Sequence, residues 1–443
     1  MKYILAFLLV LLCLTGCGAA TAPENTTAQT TTMPETICFD VSLVGEPAAA
    51  KPVFAELSDP YLSPQYQWYV DDQPLPGATS ETLTVPLSAA GKQLYVTASV
   101  DGYVAQSMPV TVTETSLEEI PMAAIAYDSK LYGRCGVNSV GLMLDYSASG
   151  FEMNVLSEGG NMTISYAAGY DLYVAVFVDG LQVQRPLLAA GAGTLTVPLD
   201  AGEHTVMVLK ETEVNTSGLT LQLLSMRLDG TVMEKPAERS LYMEFIGDSI
   251  ACGDGSLGVY TAGQKWSLQD HSGTHGFGYL TARALDADWS VFARGGIGLL
   301  KPAGDYTAGQ MFGYVNRYRD QVTAYTPTRI PDVVVIELGA NDDKNDTAGF
   351  VAAYKQLLEQ IRSLYGPEVK IVWVGKNMTQ YNSVQFVNGQ LQDANLFAFQ
   401  YSYGGSGSAA LANQSSGHPS AAEQQALADA LVQFLQKNVI TDR

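Results

Sequence analysis

Positive charge is scarce in this chain. Its 443 residues carry 24 Lys and Arg against 45 Asp and Glu, a formal net charge of -21, and no basic cluster is longer than a pair. Nucleic-acid binding depends on counterion release by such clusters, so partners of that kind are excluded. Histidine is as sparse, with only His204, His271, His275 and His418, and the five cysteines form no Cys-x-x-Cys. A built-in zinc site is therefore not expected, nor any other cofactor. The amino-terminal apolar run, Ile4 to Leu14, falls short of the roughly 20 residues that span a bilayer. The Gly-x-Ser-x-Gly elbow of the common hydrolase sheet is missing as well. Charged residues make up 16%, below the usual share of about 25%, while hydrophobic residues reach 47%. An ordered chain with an uncharged surface is implied, long enough for two to four domains.

The run after Lys2 fits a secretory signal peptide over residues 1–16. It ends in Leu14-Thr15-Gly16-Cys17, which resembles the bacterial lipobox and makes Cys17 the expected lipidated residue. A Thr-rich tether (17–36) follows, too poor in apolar residues to fold. The expected location is the bacterial cell surface, with membrane contact through the lipid anchor only. Cys38, Cys135 and Cys252 remain, an odd number that argues against a disulfide framework.

From 37 to 114, short alternating runs such as Tyr66-Gln67-Trp68-Tyr69-Val70 are separated by turn signals, the pattern of a small β-sandwich. It resembles an immunoglobulin-like module with Trp68 in its core, serving as a spacer or a sugar-binding unit. Residues 120–238 again read as strands with turns at Asp179-Gly180 and Gly202, and imply a jelly-roll β-sandwich; His204 there reads as structural. Over 239–443 the period changes. Buried strands Leu241–Ile246, Val333–Leu338 and Lys370–Val374 alternate with helices at Gly278–Leu285, Phe350–Leu364 and Ser420–Lys437, the last opened by a Ser420/Glu423 capping box. That alternation predicts an α/β three-layer domain around a parallel, flavodoxin-like sheet.

Within it, Gly247-Asp248-Ser249-Ile250 ends the first strand, where open α/β sheets place their sites. Three more segments follow in order past predicted strands: Arg294-Gly295-Gly296-Ile297-Gly298, Gly339-Ala340-Asn341-Asp342 and Gly417-His418-Pro419. The set resembles the four blocks of SGNH (GDSL-type) hydrolases. The longer string Glu244 to Gly253, with Gly133-Arg134, Val178-Asp179-Gly180 and Gly202 to Val206 upstream, is similar to carbohydrate esterase family 2 over residues 120–443.

The resemblance implies a cell-surface serine esterase that removes O-acetyl groups from plant-type polysaccharides such as xylan and glucomannan, through an acyl-Ser intermediate. It makes Ser249 the nucleophile and His418 its base, with Ser249 N–H, Gly298 N–H and the Asn341 amide as oxyanion donors; Gly296 is the other candidate in the second block. Asp248 and Asp342 are expected to shape turns. Trp266 either stacks on a sugar ring or packs within its loop. Two departures stand out: Ser415 occupies the usual position of the triad Asp, and Gly295 that of a common Ser. The resemblance then implies a Ser-His dyad with the imidazole oriented by a backbone carbonyl. The competing readings are another SGNH lipase or thioesterase, and an inactive carbohydrate-binding surface protein.

Overall fold

A computed structural model describes residues 39–115, 118–213, 221–259, 261, 267–318, 321–407 and 417–441. The leader, Cys17, the tether, Trp266 and Ser415 lie outside the described residues. Alternating burial shapes the amino-terminal strands, β1 (Val41–Gly45), β2 (Pro52–Leu57), β3 (Gln65–Val70), β4 (Thr82–Thr84), β5 (Gln93–Val100) and β6 (Tyr103–Gln106). The first, second and fourth form one sheet; β3, β5 and β6 with two short strands form another. Trp68 is fully buried, and its indole N–H donates to the Ser80 carbonyl at 2.9 Å. This satisfies the one polar atom that burying a Trp brings inside.

The next layer is an eleven-stranded antiparallel sheet built around β7 (Gly150–Ala168), β8 (Leu172–Val178), β9 (Gly191–Lys210) and β10 (Leu221–Arg227). β7 and β9 pair from Gly150↔Leu209 to Ala168↔Gly191. Period-2 alternation sends Met153, Val155, Met162 and Ile164 of β7 into the core shared with Val197, Val206 and Val208 of β9.

The carboxyl-terminal domain runs β11 (Leu241–Gly247), α1 (Ser249–Cys252), α2 (Phe277–Ala284), β12 (Ala287–Ala293), β13 (Val333–Glu337), α3 (Thr347–Tyr365), β14 (Lys370–Gly375), α4 (Met378–Leu391), β15 (Leu396–Gln400) and α5 (Ala421–Asn438). Its five strands are parallel in the order β12-β11-β13-β14-β15. Such a sheet is covered on both faces, so its strands are apolar throughout. Val333 and Val335 pack under α2 and α5, and Val334 and Ile336 under α3 and α4. The strand order reverses beside β11, which places the crevice at its carboxyl end.

Residues 39–443 make one compact unit. Tyr132, Ala175, Phe177, Met207 and Leu209 of the jelly roll join the core beneath α2 and α5. Arg134 crosses between the layers, its guanidinium 3.0 and 3.2 Å from the two Glu244 oxygens, with both side chains fully buried. The Phe292, Phe312 and Tyr325 rings surround it at 4.1, 4.7 and 4.2 Å. Cys135 and Cys252 are free thiols.

Candidate active site

Ser249 is the first residue of α1. The carboxylate of Asp248 caps that helix by accepting the Ile250 N–H at 3.0 Å, leaving the Ser249 N–H at an open helix end. From the far end of the domain, His418 precedes α5, whose capping box joins Ser420 and Glu423. The His418 carbonyl is tied to the Gly407 N–H at 2.8 Å. These two anchors bring His418 Nε2 to 2.8 Å from Ser249 Oγ, a nucleophile–base distance. The imidazole is buried rather than exposed at the helix entrance. Burial holds its pKa below the ordinary histidine value, the charges of His271 and Lys376 act in the same sense, and Asp254 opposes them. The ring is thus kept neutral, the form that accepts a proton. Its Nδ1 has no partner among the described residues.

Ser249, Asn341 and His418 line one cleft of about 580 Å³ with Lys344, Lys376 and Asn377. Asn341 Nδ2 donates to Asp248 Oδ2 at 3.0 Å and to the Ile297 carbonyl at 2.9 Å. Both amide hydrogens have protein acceptors, so stabilising an oxyanion requires Asn341 to share one of them.

Gly298 needs correction. Its N–H is spent on the Lys301 carbonyl at 2.8 Å, and a Cβ there would stand 2.1 Å from Asp342 Oδ1. Gly298 is a close-packing position over the Asp342 carboxylate, which accepts the N–H groups of Leu299, Leu300 and Lys301 at 3.0, 2.8 and 3.0 Å. Gly296 is the second-block glycine with an uncommitted N–H among the described residues. Its φ of +76° and the open space around its Cα suit glycine.

Sequence reasoning missed several ionisable groups around the nucleophile. Glu337, the last residue of β13, is buried beside Asp248, and Tyr403 Oη donates to it at 3.1 Å. Burial, then the Asp248 charge, pushes Glu337 well above the carboxylate range; burial likewise pushes Asp248 up to about 7. Asp248 shapes its turn and also accepts the Asn341 amide. On the jelly-roll side, His271 Nδ1 lies 2.5 Å from Asp254 Oδ1, and Glu213 accepts the Gly295 N–H at 2.6 Å. Glu213 is also raised, by burial and then by Asp254. The one signal for Glu337 was an acid closing an otherwise Val/Ile run. His204, bonded to Asp179 at 2.8 Å and to the Asp200 carbonyl at 3.1 Å, sits on the jelly roll as a structural residue.

Residues 245–437 match the GDSL-like Lipase/Acylhydrolase family. The chain is 30% identical over 234 residues to the cellulase/esterase CelE of Acetivibrio thermocellus, a match covering 50% of this chain and 27% of that protein's length. It is 25% identical over 316 residues to an acetylxylan esterase / glucomannan deacetylase of Cellvibrio japonicus, covering 63% of this chain and 82% of that one. Among solved structures, a family two carbohydrate esterase from Clostridium thermocellum in complex with cellohexaose superposes with a TM-score of 0.62 at 25% identity, covering 70% of this chain and 98% of its own.

Proposed function

We propose that the protein removes O-acetyl groups from polysaccharides of the xylan or glucomannan kind, a reading supported by the match of residues 245–437 to the GDSL-like Lipase/Acylhydrolase family and by the likeness to an acetylxylan esterase / glucomannan deacetylase and to a family two carbohydrate esterase. The observation that carries this reading is the 2.8 Å contact between His418 Nε2 and Ser249 Oγ at the carboxyl edge of the sheet. As Ser249 Oγ attacks the acetyl carbonyl, its proton passes to His418 Nε2. The Ser249 and Gly296 N–H groups and the Asn341 amide supply donors to the tetrahedral oxyanion. Collapse breaks the C–O bond to the sugar, whose oxygen takes the proton from His418, and water then attacks the acetyl-Ser under the same base.

The cleft rim supports a sugar rather than an acyl-chain substrate. Lys344, Lys376 and Asn377 offer hydrogen bonds, and Met378 is the one exposed large apolar side chain among the described residues of the lining. A pocket for a long acyl chain needs continuous apolar lining, as small-molecule sites do. Anchoring at the bacterial surface through Cys17 rests on the lipobox, and release of a Cys17→Ala variant into the medium tests it. For the activity, acetate release is measured on acetylated xylan, glucomannan and pectin, beside an acyl-chain length series of p-nitrophenyl esters. Preference for acetyl and release from at least one polysaccharide is expected; rates that rise with chain length would instead assign a lipase or thioesterase.

A further inference from the structure

The dyad leaves unused a pair of carboxyl groups directly beneath the nucleophile. Gly247 and Glu337 are register partners at the ends of β11 and β13, so the Asp248 and Glu337 side chains meet under α1. Both are buried, at 0% and 2% exposure. Several donors reach the pair: the Ile250 N–H and the Asn341 amide, each at 3.0 Å on a different Asp248 oxygen, Tyr403 Oη on Glu337 Oε1, and the Asp248 N–H on the Glu337 carboxyl. Glu337 Oε2 is buried and receives no N–H or O–H from the described residues, yet it belongs to a carboxyl in hydrogen-bond contact with that of Asp248. Two carboxylates cannot make that contact without a proton between them.

We propose that Glu337 is a positioning residue held as the neutral acid, whose O–H bridges to Asp248 and so fixes the carboxylate that aims both Asn341 and the amino end of the helix bearing Ser249. The proposal rests on the ester-hydrolysis reading above. One proton leaves the site floor with a single negative charge rather than two, below the point where an oxyanion must build; a second charge there would oppose the transition state. The other groups facing the pair are Tyr403, with Lys376 Nζ 4.7 Å from its ring centroid, and the charges of Asp254 and Asp342 acting on Asp248; His418 stands above it in the cleft. Burial, reinforced by Asp248, raises Glu337, so the proton is held to higher pH than on an ordinary carboxyl.

Two substitutions separate positioning from packing. Glu337→Gln presents an N–H to Asp248 and keeps a carbonyl for Tyr403, with nothing to titrate; Glu337→Leu removes both bonds. With p-nitrophenyl acetate, E337Q should keep kcat within about tenfold of wild type at neutral pH, whereas E337L should lose about 10²-fold or more in kcat with KM little changed, as when an oxyanion donor is misplaced. The alkaline limb of the kcat profile should move up by at least about one pH unit in E337Q, since its titrating group is gone. An E337Q profile with the wild-type limb, or equal kcat in the two folded variants, would overturn the proposal. Infrared spectroscopy gives a readout independent of activity. At neutral pH the wild type should show a protonated-carboxyl band that weakens in E337Q, with Glu213 supplying the remainder; an undiminished band would also overturn it. A wild type with the band but no esterase activity would sink the ester-hydrolysis reading while leaving the shared proton standing.

Discussion

At the scale of single residues, burial decides what His418 can do. Its pKa lies below the ordinary value of about 6.5, so the base stays neutral into mildly acid solution. The acid limb of kcat/KM is accordingly expected below pH ~6.5, and a pH-rate profile in which activity is already lost above that value would contradict it. Ser249 and Asn341 were legible because each sits in a short block just past a strand, and His418 because its Gly-His-Pro block precedes a capped helix, in an order that resembles the blocks of SGNH hydrolases. Gly298 was not. Which of two neighbouring glycines keeps a free N–H depends on a bond to Lys301 and on the Asp342 carboxylate, neither of which spacing encodes. Glu337 was hidden because a hydrophobic run reads as buried whatever its last residue does.

At the scale of elements, the start of α5 holds the base in place. Glu423 Oε2 accepts the Ser420 N–H at 2.8 Å and the Ser406 N–H at 3.0 Å, tying the cap to the 404–407 segment whose Gly407 N–H grips the His418 carbonyl. Glu423→Ala should therefore cost about 1 kcal/mol of stability, as loss of a helix cap does, and lower kcat as well; a denaturant titration beside the kinetics reads both. Unchanged kcat with reduced stability would detach the cap from the site. The capping box was readable from Ser420 and Glu423, and so were the long helix α3 and the strands with unbroken Val/Ile runs. Helix α4 was not, because its buried positions include Gln380 and Ser383, which blur the apolar stripe that marks a helix. Strand β15 is only half-buried along its length and carries no such run.

For the whole molecule, the jelly roll and the α/β domain stand or fall together. Arg134 and Glu244 are buried in full between them, and removing one partner of such a pair strands the other charge. Glu244→Ala should destabilise by about 3–5 kcal/mol, lowering the unfolding midpoint of both layers in one transition; two separated transitions would show that the layers unfold independently. The Gly-Arg and Gly-Glu-His segments of the jelly roll hinted at this union, while the pairing of Arg134 with an acid in the middle of a β-strand emerged only from the fold. What the assembled layers serve is the Ser249–His418 contact, and the most direct test is acetate release from acetylated xylan and glucomannan by wild type, Ser249→Ala and His418→Ala. Both variants should remain folded and lose about three orders of magnitude or more, as groups acting as a unit do. A folded variant of either kind that retains more than about a tenth of the wild-type rate would contradict the account.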